Sequence, residues 1–90
     1  MAINGSGDSA DSVRIYTTDT IVDHPGAEIV YKGFITFNAH EAWTRSLTNM
    51  TVEAKERASR LDANAIVGVK IVDGNGRYTF TGTAVRFFPK

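Results

Sequence analysis

The stretch Leu61-Asp62-Ala63-Asn64-Ala65-Ile66-Val67-Gly68-Val69 constrains this chain more than any other. An apolar series leads into it: Trp43, Leu47, Met50, Ala54, Ala58 and Leu61, at steps of four, three, four, four and three. That period is one face of an α-helix. Asp62 and Asn64 interrupt it, and both residue types accept turn and left-handed conformations at modest cost. Ile66, Val67 and Val69 then suit a buried strand. A helix ends and a strand begins at this corner, with Asn64 turning the backbone and Gly68 allowing close approach of a neighbour.

The remaining elements follow outward from the corner. Val13–Thr18 alternates and is a short strand; Thr18-Asp19-Thr20 breaks it, and Ile21-Val22 could rejoin a sheet edge. Asp23-His24-Pro25-Gly26 is a turn. Glu28–Asn38 is a second strand, with Ile29, Tyr31, Gly33, Ile35 and Phe37 on its more apolar face. Asn38 stands three residues before Glu41, the spacing of a capping box, and predicts a helix start. Glu41–Arg45, Glu53–Arg57 and Glu56–Arg60 are i,i+4 ion pairs along that helix. Thr48–Val52 is its weakest part. Strands Ala65–Asp73 and Arg77–Phe88 are joined by the hairpin turn Asp73-Gly74-Asn75-Gly76. Ala65, Val67, Val69 and Ile71 form the aliphatic face of the first of these.

Lengths agree with a layered fold. A helix of about 24 residues spans about 36 Å, and strands of about ten residues span about 33 Å. One long helix can lie along an antiparallel three- to four-stranded sheet, an α+β two-layer sandwich. Residues 1–12, rich in Gly, Ser, Asp and Asn, read as a flexible tail, and residues 13–90 as a single domain.

Composition removes several function classes. Ten basic and ten acidic side chains cancel, so no electrostatic reason points to nucleic acid or an anionic membrane. No cysteine is present, which excludes disulfides, thiolate metal sites and cysteine nucleophiles. No apolar run approaches the roughly 18 residues of a membrane span, and no signal-peptide pattern opens the chain. The expected compartment is the cytoplasm.

One helix covers one face of a sheet. Val30, Phe34, Ile66, Val72, Val85 and Phe87 fall on the faces read as turned away from it, or at their margins. An apolar second face calls for a partner, and closed homo-oligomers are the usual way to bury one. These six residues are the predicted oligomer interface, and the predicted partner is the chain itself.

Two blocks carry a family resemblance. The first is Thr17-Thr18, Ile21 and Pro25-Gly26-Ala27-Glu28-Ile29 through Gly33. The second is Ala58, Leu61, Ala63-Asn64-Ala65-Ile66-Val67-Gly68-Val69 and Gly82-Thr83-Ala84-Val85. They resemble the YbjQ-type family, labelled a putative heavy-metal-binding domain. The resemblance implies a dodecin-like β-α-β-β subunit with an extra N-terminal strand and a ring-shaped homopentamer. The chain departs from the family's pattern twice: the segment between the first long strand and the last helix is shorter, and Asp62 stands where the family prefers Gly. A second resemblance is to dodecins proper, whose early helical Trp stacks on flavin. Trp43 occupies a similar position, though it also lies on the apolar helical series.

Four residues offer metal-ligand chemistry: Asp23, His24, His40 and Glu41, with imidazoles as the usual donors and carboxylates to complete a site. The two histidines flank the first long strand, about 40–50 Å apart if extended, so a divalent metal would need a site between subunits. Enzyme motifs are missing: there is no G-x-S-x-G, no Walker-type phosphate-binding loop and no G-x-G-x-x-G nucleotide fingerprint. The expectation is a non-enzymatic self-assembling domain with a structural or ligand-binding role. The alternative is metal-ion or flavin-like ligand binding at inter-subunit sites. Thr79, Thr81 and Thr83 make one face of the last strand, exposed, interfacial or lining a ring lumen.

Overall fold

The computed structural model describes residues 12–40, 47–74 and 76–89. Its elements are β1 (Arg14–Ile15), β2 (Glu28–His40), α1 (Leu47–Arg60), β3 (Ala65–Gly74) and β4 (Arg77–Phe88). They form an α+β fold with one helix and a four-stranded mixed sheet of order β1-β3-β4-β2. β4 pairs antiparallel with β2 and β3, while β1 pairs parallel with β3. The expected antiparallel sheet is therefore mixed. Trp43 and Glu41 lie outside the described residues, as does the proposed tail up to Asp11.

The corner closes as a Schellman motif. Asp62 has φ +62°. The Ala63 amide donates to the Ala58 carbonyl and the Asp62 amide to that of Ser59, both at 3.0 Å; these bonds satisfy carbonyls that the helix end leaves open. Ala63 and Ala58 are both buried, the apolar contact that accompanies the motif. Arg86 braces the left-handed residue: its Nε donates to the Asp62 carbonyl at 2.8 Å and its Nη2 to the carboxylate at 3.2 Å. Lys32 approaches the same carboxylate at 3.6 Å.

The sheet carries a core on each face. Met50, Ala54 and Ala58 of α1 pack on Ile35, Ala39, Ile66, Val69, Phe80 and Ala84. On the opposite face, Ile21 packs with Ala65, Val67, Val85 and Phe87, joined by Tyr16 and Ala27. Residues 16–27 thus cross from one side of the sheet to the other and cover one end of the face that the helix leaves bare. They are tied down by backbone bonds from Tyr16 to Ile66 (2.8 Å), from Val69 to Tyr16 (3.1 Å) and from Gly68 to Thr18 (2.8 Å), naming the amide donor first.

Two bulges decide which residues reach which core. In β2 the register against β4 shifts between Tyr31 and Gly33, and in β3 it shifts between Val67 and Lys70. An extra residue in a strand reverses the facing of all that follows. Ile29 and Tyr31 therefore lie opposite Phe87 and Val85 on the far face, whereas Gly33, Ile35, Phe37 and Ala39 face the helix. Likewise Ala65 and Val67 join the far core but Val69 joins the helix side. Gly68, at φ +63°, forms the β3 bulge in a conformation that side chains with a Cβ disfavour.

The structure corrects the reading of five residues. Ile66 is fully buried under the helix, and Val30 sits opposite Arg86 on the helix side rather than the far face. Val85 and Phe87 do lie on the far face, but Ile21 and its neighbours bury them within the chain. Asn38 does not begin a helix: it pairs with Thr79 inside β2, and its side-chain oxygen accepts the Thr79 hydroxyl at 2.8 Å. The described helix starts at Leu47.

Candidate functional site

Beyond the covered end, the far face is open. Cross-strand partners share a face, which places Phe34, Thr36 and Asn38 of β2 beside Thr83, Thr81 and Thr79 of β4. Lys70 and Val72 of β3 flank Thr81 and Thr79 from the other side. The threonine row is half-buried, between two large apolar side chains that remain bare: Phe34 at 60% exposure and Val72 at 59%. Tyr31, at 65%, lies at the margin with the covered end.

Two edges of the sheet are also open among the described residues. β2 is the outermost strand. Its run Gly33–His40 keeps an unbroken register with β4 on its inner side and carries no Asp, Glu, Lys or Arg. At the other border, the N-terminal segment occupies the β3 edge only as far as Val69, leaving Lys70–Gly74 uncovered. Unpaired edge groups are a template for another strand.

A groove of about 300 Å³ follows the β2 edge on the helix side, lined by Phe34, Ile35, Thr36, Arg57, Arg60 and Leu61. The last helical turn supplies its charge, where cations also complement the carbonyl end of the helix. Arg57 donates to Glu53 at 2.7 Å, as the i,i+4 spacing predicts, and its guanidinium lies 4.7 Å from the centre of the Phe37 ring. Phe37 in turn stacks on Phe80, with centroids 5.1 Å apart. Sequence reasoning missed this groove, because nothing in the one-dimensional pattern brings Arg60 beside Ile35. The signal available was the pair of arginines in a last helical turn.

Of the predicted metal ligands, Asp23 and His24 lie before β2 and His40 stands at its end, while Glu41 lies outside the described residues. Asp23 accepts from Arg14 Nη1 and from the Tyr16 hydroxyl, each at 2.8 Å. The His24 ring lies 5.3 Å from that of Phe87, adding to the cover over the far core. His24 precedes β2 and His40 ends it, a separation on the order of 40 Å at about 3.3 Å per residue. Among the described residues no three His, Asp or Glu side chains form a metal-binding group. No described helix is long and apolar enough to cross a membrane.

The Asp23 contacts fasten the covering segment and set its response to acid. The Tyr16 hydrogen bond holds the Asp23 carboxyl below its ordinary range, with the charges of His24 and Arg14 acting in the same direction. Burial and the bond to Asp23 raise Tyr16. For a carboxyl lowered in the folded state, the stabilisation is present above its unfolded value and is lost as pH falls through the folded one. The melting-temperature difference between the native chain and Tyr16→Phe is therefore expected to shrink as pH drops from about 7 to below about 4. A difference that stays constant over that range would contradict the assignment.

No family model and no curated protein matches the chain. Among solved structures it is similar to the crystal structure, at 2.73 Å resolution, of a protein of unknown function of the DUF74 family from Pediococcus pentosaceus ATCC 25745. The TM-score is 0.56 and the identity 18%, with 84% of this chain and 98% of that chain covered. At that identity the likeness establishes the fold. DUF74 is the YbjQ-like family, the one that the two sequence blocks resemble.

Proposed function

We propose that this chain is a small non-enzymatic building block that closes into a homo-oligomeric ring with a structural or ligand-binding role in the cytoplasm. The dodecin-like arrangement of the YbjQ type makes five copies the expected number. The observation that carries the reading is the bare end of the far sheet face, where Phe34 and Val72 stay more than half exposed although a covering segment buries Val85 and Phe87 at the other end. Large exposed apolar side chains clustered on one face mark interaction surfaces. Native mass spectrometry at micromolar concentration tests the proposal: the expected species has five times the 9.8 kDa chain mass, and excess mass on that species reports a bound ligand. A single species at the mass of one chain would end it.

A further inference from the structure

We infer that the groove at the end of α1 is a binding site for a small aliphatic monocarboxylate, whose tail lies along Ile35 and Leu61 and whose carboxylate meets Arg57 and Arg60. Every wall of the groove belongs to one copy. The inference therefore goes beyond the assembly proposed above and does not rest on it.

The first observation is a cation that leaves an available partner. Glu56 stands four residues before Arg60, as Glu53 stands before Arg57. The Glu53–Arg57 pair closes at 2.7 Å. The Glu56–Arg60 pair does not form: among the described residues Arg60 has no ion-pair or hydrogen-bond partner, and it lines the groove instead. Residues three apart on a helix are neighbours, about 5–6 Å apart at Cβ, so the two guanidinium groups border one space. Arg57 spends its Nε on Glu53 and keeps its terminal donors. The two positive charges, less that of Glu53, leave one. That balance fits a monoanion and not a phosphate dianion.

The second observation is the order of the walls. Leu61 lies over Gly33, its Cδ1 3.2 Å from where a Cβ would stand, and Arg57 lies over Phe37. Between them Ile35, 3% exposed, lines the groove from the core side. Four residues of β2 separate the two ends, a span of about 13 Å. The groove is thus apolar at one end and cationic at the other, over a length that suits a medium-chain acid. Its aliphatic tail would cover Leu61, which the chain itself leaves exposed, and removal of such surface from water favours binding.

The third observation is size. A volume of about 300 Å³ stands at the lower end of the range for small-molecule sites.

Titration of octanoate into the isotope-labelled native chain, followed by amide chemical shifts, tests the site, with octanol as the uncharged control. Saturable shifts are expected over Gly33–Phe37 and Arg57–Asp62, with octanol at least about tenfold weaker. Arg60→Gln, a change at an exposed position, is expected to weaken octanoate by a similar factor and to leave octanol unchanged. Equal binding of octanoate and octanol, or octanoate binding untouched by Arg60→Gln, would remove the carboxylate contact and overturn the proposal. Shifts centred on Val72 and Thr79–Thr83 would put the acid on the bare far face and overturn it as well, as would the lack of saturable binding at millimolar octanoate. Native mass remains the separate readout of the assembly.

Discussion

Asn64→Asp is expected to destabilise the folded chain by about 3 kcal/mol at neutral pH, about twice a typical hydrogen-bond loss. Asn64 acts as a strand residue through its side chain. Its Nδ2 donates to the Phe87 carbonyl at 3.0 Å, and its Oδ1 accepts the Phe87 amide at 2.9 Å. Its own amide donates to Val85, and its carbonyl accepts from Arg14. One residue thus joins the start of β3 to β4 and to β1. The aspartate keeps the size and the acceptor but aims a second oxygen at the Phe87 carbonyl. A loss of this size corresponds to roughly 12–24 °C in melting temperature for a domain of this length. The acid form can donate to that carbonyl, so the folded state favours it. Its contribution is present at low pH and lost as pH rises. The defect should accordingly be smaller near about pH 4 than at pH 7. Equal melting temperatures of the two chains at neutral pH would show that the pairing carries no weight.

The second large effect is expected at Gly82. A Cβ there would stand 2.7 Å from Ile66 Cγ2, 3.2 Å from Val69 Cγ2 and 3.6 Å from Phe80 Cε1. All three neighbours belong to the helix-side core, so they have little room to move. Gly82→Ala is expected to cost about 2 kcal/mol by overpacking. Ile66→Ala removes the obstructing methyl and alone should cost about 2–4 kcal/mol. The double variant should then lose at least about 1 kcal/mol less than the sum, since contacting sites are not additive. Denaturant titration of the four chains checks this, and simple additivity would place the clash elsewhere.

Much of the fold was legible because local signals agreed with one another. Arg77–Phe88 emerges with its predicted bounds, since its turn chemistry and alternation point the same way. The helical series was right at Met50, Ala54 and Ala58, which are fully buried. Facing was not legible. Sequence alternation assumes an even pleat, and Lys32 and Gly68 look like ordinary strand residues until their partners are known. The same holds for Asn38, where a capping signature competes with a cross-strand hydroxyl that lies 41 positions away. Ile21 was another loss: a single aliphatic in a polar loop does not announce that it fills a core. As for the site, pattern placed Phe34 and Val72 on the face turned away from the helix, where they stand exposed, whereas the groove and the role of His24 depend on contacts between distant segments.

The two cores lie on opposite faces of one sheet, with β4 passing through both. This divides cohesion unequally. The helix-side core is held by α1 and all four strands, whereas the other closes only when residues 16–27 lie down across it. Transient lifting of that segment would bare Val85 and Phe87 while Met50 and Phe80 stay sealed. Partial opening of this kind is the ordinary low-energy excursion of a folded protein. The chain would then have two degrees of closure, and the residues concealed in one are apolar surface in the other.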